Sequence, residues 1–493
     1  MYLSKSKYCN AHQCLKMLWL TEFKSEEKED VKNSSVLDNG TEVGIVAKDL
    51  LGSSIDIEFN ENLQIMINDT KKALEKEKAV ITEASFSYNN NFCSVDLLKK
   101  DGNNYEIYEV KSSTEIKDIY IEDVSYQVYV LKSLGYNIVK ASIVYINSKY
   151  IRGKKLELDK LFIIKDVTSI AFSKQSEIEK KVIEINEYMK QANEPKKELG
   201  VHCVKPYDCP FFKYCSRNLP TPNIFDIRGM QISSKIKLYQ KGKVSFPDLL
   251  KEDINSKYLE QIDFAINDKE PKIKRNEIRE FLETLTYPMY FLDFETFQES
   301  IPTLEGASPY EQIPFQYSLH FKEHEKGKLN HTEFLASINT DPRRELAESL
   351  VRDIPKDTCV IAYNCSFEKM VIKKLSYLYP DLKDHLLNIY NNIKDLMIPF
   401  KNRYYYTKEM QGSFSIKYVL PALFPNDESL NYHNLEEIHN GSEAMNSFKE
   451  LKNMSKEEQE ITRKNLLKYC ELDTYAMVKI YEKLYIVTNY QTS

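Results

Sequence analysis

At 493 residues and 42% hydrophobic content, the chain is long enough for two or three globular cores and too apolar to be disordered throughout. Its 68 basic and 74 acidic residues leave a formal charge of −6, which excludes a global cationic field as the means of holding a polyanion; a local groove and metal ions would have to do so. No apolar run approaches the roughly 18 residues of a membrane helix, and the opening MYLSKS lacks the apolar core of a signal peptide, so a cytoplasmic protein whose nine cysteines are mostly thiols is expected.

Residues 4–20 carry Leu15, Leu18 and Trp19 at helical spacing behind Cys14 and predict a capping helix. A helix over 60–77 follows. The pattern then turns to β-rich runs at 79–86, 92–99 and 105–111, with Asp101-Gly102-Asn103-Asn104 joining the last two as a hairpin. Glu109 and Lys111 are two apart on one strand, so they project together, and the hairpin brings Asp96 alongside. Two acids holding a divalent ion beside a lysine that positions water and offsets negative charge form the outline of a phosphodiester-cleaving site. Glu83, on the preceding strand, can add a ligand. The next helix has Val124, Val128 and Leu131 on its buried stripe, which leaves Tyr126 and Gln127 at the edge facing the site. The plain alternative is a surface ion pair between Glu109 and Lys111.

The run ITEASFSYNNNFCSVDLLKKDGNNYEIYEVKSS, followed by YQVYVL, resembles the RecB-like branch of the PD-(D/E)XK nucleases. The resemblance implies Asp96 and Glu109 as metal ligands, Lys111 as catalytic and Gln127 as supporting. Where such enzymes often carry a histidine on an upstream helix, NGTEVGIVAK offers Gly44.

Within HCVKPYDCPFFKYC, Cys203, Cys209 and Cys215 fall in thirteen residues, too dense for chance packing. Four thiolates are the usual complement of an iron–sulfur cluster or a structural zinc. One cysteine near the N-terminus, Cys14, and three near the end of the domain resemble the iron–sulfur nucleases of CRISPR adaptation and of AddB-type recombination enzymes, in which a cluster staples the domain's two ends. The resemblance implies a [4Fe-4S] cluster on these four, with zinc as the alternative and Cys9, His12 and His202 as possible substitutes.

Residues 221–286 are charged and helical in pattern, with Pro220, Pro222 and Pro271 as breakers, and predict a helical connector rather than a tether. MYFLDFET, residues 289–296, is then an apolar strand that projects Asp293 and Glu295 from one face, where their repulsion and lost hydration call for a cation. FQYSLHF and LNHTEFLA read as two further strands, 341–354 as a helix and CVIAYN as a buried strand, an α/β order. Glu368 sits on the apolar stripe of the following helix with Val371 and Leu375. On the last helix Tyr469, Asp473, Ala476 and Ile480 share the inward face, which buries an aspartate and a tyrosine hydroxyl together.

D-x-E-T, then N-x-x-F with an acid, the GSFSIKYVLP helix and a final Y-x-x-x-D resemble the DEDD (DnaQ-like, RNase H-fold) 3′–5′ exonucleases. This implies Asp293, Glu295, Glu368 and Asp473 as ligands of two Mg2+ or Mn2+ ions, Tyr469 as the residue that orients the attacking water, and Asp395 as a secondary acid. Members usually have aspartate where Glu368 stands.

Taken in order, both halves resemble a bacterial family, labelled a domain of unknown function, that fuses a RecB-like domain with terminal cysteines to a DnaQ-like domain. The expected architecture is two-domain α/β: a PD-(D/E)XK fold over 1–220, a connector over 221–286 and an RNase H-like fold over 287–493. The expected function is a metal-dependent nuclease acting on DNA, single-stranded or bearing ends, with KNRYYYTK at 401–408 as a candidate path. The alternatives are a nucleic-acid-binding or scaffold protein in which one or both sites have decayed, on the grounds of Gly44 and Glu368, and an RNA-processing exonuclease.

Overall fold

β-Branched and aromatic runs interrupted by Asn and Gly turns make the first sheet. The computed structural model describes residues 2–29 and 34–489. Strands β1 (Leu3–Ser4), β2 (Ile55–Asp56), β3 (Lys78–Tyr88), β4 (Asn91–Asp101), β5 (Asn104–Lys111), β6 (Asn137–Ile146) and β7 (Phe162–Asp166) form one sheet in the order β2-β3-β4-β5-β6-β7, with β1 pairing β4. The β3–β4–β5 meander is antiparallel, whereas β5 and β6 run parallel. That crossover is made by the helix Asp118–Ser133, whose Val124, Val128 and Leu131 are fully buried. Its other covering helices include Lys5–Gln13 and Leu63–Ala73.

The single helix expected over 4–20 is two, Lys5–Gln13 and Leu15–Phe23. They part at Cys14, whose extended backbone (φ −160°, ψ 116°) ends one and starts the next. Cys14 therefore sits in a corner rather than on a helix face.

The second sheet comprises β9 (Met289–Phe297), β10 (Ile313–Lys322), β11 (Asn330–Leu335), β12 (Cys359–Ala362) and β13 (Ile393–Asp395), in the order β11-β10-β9-β12-β13. β9, β10 and β11 are antiparallel, and β12 and β13 run parallel to β9. The helices Pro342–Asp353 and Ser366–Leu378 pack with Leu292, Tyr317 and Val360 in one core. The long helix Lys456–Asn489 packs with Phe291 and Ile361 in another. A short ribbon pairs β8 (Lys272–Ile273) with β14 (Tyr405–Tyr406). The whole is a mixed α/β chain, and among the described residues no helix is long and apolar enough to cross a membrane.

Two compact units divide the chain. One comprises Met1–Leu219, Ile232–Lys237 and Glu299–Tyr310, the other Pro220–Gln231, Leu238–Gln298 and Glu311–Ser493. The stretch 221–286 is thus no separate body, since all but six of its residues belong to the second unit. Residues 299–310, which join β9 to β10, belong to the first. There Ile301 packs with Val43, Leu97 and Tyr108, Ser300 Oγ meets Glu42 Oε2 at 3.1 Å, and Ala307 O accepts from Arg152 N–H at 2.9 Å.

Candidate functional site

In the first unit the antiparallel register of β4 and β5 brings Asp96, Glu109 and Lys111 together as expected from their spacing. Asp96 Oδ2 accepts the Val110 N–H (2.7 Å), which fixes the carboxylate at the strand edge. Glu109 is 1% exposed, so its pairing with Lys111 (2.7 Å) is no surface ion pair. Lys111 Nζ also reaches Asp123 Oδ2 at 2.7 Å. Gln127 Nε2 donates to Glu109 Oε2 (2.6 Å) and to Asp123 Oδ1 (3.0 Å), while its Oε1 has no partner. Tyr126 does not face the site: its hydroxyl donates to Leu3 O and its ring stacks on Tyr8.

Two members of this cluster carry no local sequence signal. Asp123 lies one helical turn before Gln127 and needs only the i, i+4 rule once Gln127 is placed. Lys5 comes from 91 residues before Asp96, on the helix that β1 delivers to the edge of β4. Its ammonium bridges Asp96 Oδ1 (3.1 Å) and Glu109 Oε1 (2.9 Å), a position between two acids that a divalent ion would take. Burial works against both lysines' charge, but Asp96, Glu109 and Asp123 around Lys5, and Asp123 and Glu109 around Lys111, raise both above the ordinary lysine range. Lys111 is therefore a fixed positive charge here, not a free base. Glu83 is left out of the β3–β4 pairing, in a left-handed conformation (φ 57°), and burial followed by the charge of Asp96 raises it to about 7. At Gly44 an added Cβ would meet nothing within 4 Å.

The four predicted cysteines come to one place. Cys14, Cys203, Cys209 and Cys215 line a single cavity together with His202, over a floor of Met17 and Leu20. All nine cysteines are thiols. Burial pushes the Cys209 thiol up to about 12, with Cys14, Cys203 and Cys215 adding to the shift, so the Cys209 sulfur stays protonated unless a metal replaces its proton. Cys9 lies elsewhere in the core, near Asp123 and Glu109.

In the second unit β9 presents Asp293 and Glu295 on one face, and the last helix lays Asp473 against them. One carboxylate oxygen from each of the three lies within 4.8 Å of the others. Burial, then Asp473, Glu295 and Glu368, raise Asp293 well above the carboxylate range; burial and then Asp473 do the same to Glu295. Asp473 rises by burial to about 6, against hydrogen bonds from Tyr432 and Tyr469. The Tyr432 hydroxyl donates to Asp473 Oδ1 at 2.6 Å. Tyr469, 6% exposed, keeps its phenol proton because burial and then Asp473 raise it far above the usual range.

Glu368 stands outside the trio but is 3% exposed, its Oε2 has no hydrogen-bond partner among the described residues, and burial raises it to about 8. Asp395 is tied to backbone, accepting from Asn364 N–H (2.9 Å) and Met397 N–H (3.0 Å), and its charge adds to the shift of Glu368. The positive charge that acts on Glu295 and Asp473 is Lys417, exposed at the start of the helix Ile416–Leu423. Gly441, the first residue of the helix Gly441–Glu450, approaches so closely that a Cβ there would lie 3.4 Å from Glu295 Oε2. Tyr432, Lys417 and Gly441 were not singled out by the sequence reading; only Lys417 lies inside a motif, GSFSIK, that marks this region. Within residues 401–408, Arg403, Tyr405 and Tyr406 are buried, Lys401 and Asn402 are exposed, and Lys408 pairs with Asp268.

Comparison with known proteins places these residues in context. The family described as "Domain of unknown function (DUF2779)" matches residues 290–415, from the strand of Asp293 and Glu295 through Glu368 and Asp395 to the start of the GSFSIK helix. Tyr469 and Asp473 lie beyond the matched residues. "Uncharacterized protein MG366" of Mycoplasma genitalium is 28% identical over 223 residues, which cover 42% of this chain and 33% of that protein. The chain thus spans about a third of the length of the curated relative it matches.

Proposed function

We propose that the chain is a metal-dependent nuclease that hydrolyses the phosphodiester bonds of DNA, with its principal site at Asp293, Glu295, Glu368 and Asp473. The observation that carries this reading is an uncompensated charge. Glu295 and Glu368 are buried and Asp293 and Asp473 half-buried, the positive charge that acts on Glu295 and Asp473 belongs to an exposed lysine, and one buried oxygen of Glu368 has no hydrogen-bond partner among the described residues. Such a group of acids neutralises by taking protons or by binding cations. Oxygens within 4.8 Å of one another suit a divalent ion whose metal–oxygen bonds are about 2.0–2.6 Å. Bound there, Mg2+ or Mn2+ would supply polarisation of the scissile phosphate and neutralisation of developing charge. The chain's own residues supply the rest. Tyr469 offers a protonated hydroxyl beside Asp473 to orient water, and Tyr432 fixes that carboxylate's rotamer. The strand order β11-β10-β9-β12-β13, with the acids on the central strand, supports an RNase H-like reading of this unit.

The first unit's parallel β5–β6 crossover, with Asp96, Glu109 and Lys111 on adjacent strands, supports the PD-(D/E)XK reading. Here three carboxylates, Asp96, Glu109 and Asp123, face two ammonium groups, so the need for an outside cation is smaller. One observation thus favours a second reading of this site alone, as a nucleic-acid-binding element held shut by Lys5. The cysteine cavity suits a [4Fe-4S] cluster that ties the unit's two ends, with zinc as the alternative.

The test is digestion of end-labelled single- and double-stranded DNA and RNA with Mg2+ or Mn2+. Wild type is expected to cleave DNA, Asp293→Ala with Glu295→Ala to lose at least ~10²-fold in rate, and Asp96→Ala with Lys111→Ala to report what the first site adds. Absence of metal-dependent cleavage of all four substrates by wild type would overturn the proposal. For the cysteines, anaerobically purified protein is expected to be brown and Cys209→Ser colourless; a colourless wild type holding zinc would select the alternative.

A further inference from the structure

The face of the second sheet that carries Asp293 has a further group of ligand atoms, and it does not rest on acids alone. In the β10–β11 ladder His320 stands directly opposite His331, and Ser318 opposite Glu333, so all four side chains share the face on which the last helix lies. That helix contributes Glu471 and Thr474. One atom each from His320, His331 and Glu471 lies within 4.8 Å of the other two. The imidazole rings are 4.5 Å apart between centroids.

What makes this a built site is how the rings are held. His320 Nδ1 is 2.8 Å from Thr474 Oγ1, His331 Nε2 is 2.9 Å from Ser318 Oγ, and the two hydroxyls are 2.7 Å apart, both fully buried. Thr474 Oγ1 is itself within 3.1 Å of Glu471 O. A relay of hydroxyls therefore takes one nitrogen of each ring and leaves the other nitrogen, Nε2 of His320 and Nδ1 of His331, without a hydrogen bond among the described residues. Metal-binding histidines are usually fixed in this way, through the nitrogen that does not ligate. Two histidines that merely filled space, their rings tilted by 37°, would not need their orientations fixed by a shared buried hydroxyl pair.

We propose that His320, His331 and Glu471 bind a divalent transition metal of the zinc class, which clamps the last helix to the β10–β11 hairpin. Two imidazoles and a carboxylate select zinc, cobalt or nickel over magnesium, which prefers all-oxygen sites. The site differs in both ligands and selectivity from the acids on β9, and its existence does not depend on nuclease activity.

The experiment uses the full chain without a polyhistidine tag, reduced, in excess Mg2+ to fill all-oxygen sites, titrated with Co2+. Beside any thiolate-bound cobalt in the cysteine cavity, one further equivalent is expected to bind with ligand-field bands of nitrogen and oxygen donors and to raise the melting temperature. Glu471→Gln, at an exposed helix position, and His331→Gln are each expected to weaken that equivalent at least ~10-fold. Asp293→Asn alone is expected to keep that equivalent, and Glu471→Gln to weaken it as much in the Asp293→Asn background, which separates this site from the neighbouring acids. Equal uptake by wild type and Glu471→Gln, or cobalt bands that are thiolate only, would overturn the proposal, and Glu471→Gln decides alone if His331→Gln does not fold.

Discussion

Lys5 stands between Asp96 and Glu109 where the metal ion proposed for the first unit would bind, and replacing Lys5 by methionine tests which of them that unit needs. Removing Lys5 from a mostly buried cluster leaves Asp96 without an ammonium partner and Glu109 with Lys111 alone, so the chelated protein should lose roughly 3 kcal/mol in urea unfolding. Added Mn2+ should recover most of that loss in Lys5→Met and little in wild type; an identical response of both proteins would mean that the ammonium is no substitute for the ion. Glu368 gives a prediction in pH. Its folded-state pKa, about 8, lies above its unfolded value, so between these two the folded chain holds the extra proton and stability falls as pH rises. His320, whose pKa is lowered, pulls the other way, but only below its ordinary 6.5. From pH 6.5 to 8, chelated wild type should therefore lose roughly 1 kcal/mol per pH unit relative to Glu368→Gln, and Mg2+ should flatten the difference. A wild type as flat as the variant in chelator would count against a buried, unpaired Glu368. At this scale the sequence was most informative where partners are close along the chain or share a period: Asp96, Glu109 and Lys111 through the hairpin, Gln127 through its helix. Lys5 and Tyr432 were invisible because the contacts that give them meaning span 91 and 41 residues.

Elements were legible wherever periodicity was strong. The three strands of the meander, the strand of Asp293, the helix Pro342–Asp353 and the last helix fall within a few residues of where their patterns put them. The break at Cys14 was missed because no glycine or proline marks it; the corner is set by what Cys14 must reach, not by local propensity. Gly412 shows the opposite situation, a glycine whose need is tertiary. It adopts φ +78°, and a Cβ would sit 2.2 Å from Gln261 Oε1, an atom already accepting the Arg228 N–H. Gly412→Ala should cost roughly 2–3 kcal/mol, and it should weaken Mg2+-dependent cleavage by displacing the helix that presents Lys417. An unchanged urea midpoint would show that Gln261 moves aside freely.

At the scale of the molecule, residues 299–310 make the two units mutually dependent in sequence. A fragment ending at 220 lacks Ile301, which fills the cluster of Val43, Leu97 and Tyr108, and lacks the Glu299–Tyr310 backbone that bonds Arg152. Such a fragment should be cut faster by protease than the same region in the full chain, and a chain with 301–309 replaced by glycine and serine should behave likewise; equal resistance would mean that the segment is a passive loop. No sequence pattern exposed this arrangement, because a loop between two strands gives no sign of where it docks. The connection also sets an order of events on the ribosome. The first unit opens the chain, yet its last strip is residues 299–310, so it cannot close until more than half of the protein has been made. By then the strand of Asp293 and Glu295 has already emerged. Folding of the first unit thus waits on synthesis of the second unit's strand of Asp293 and Glu295, and a chain that stalls between them yields neither.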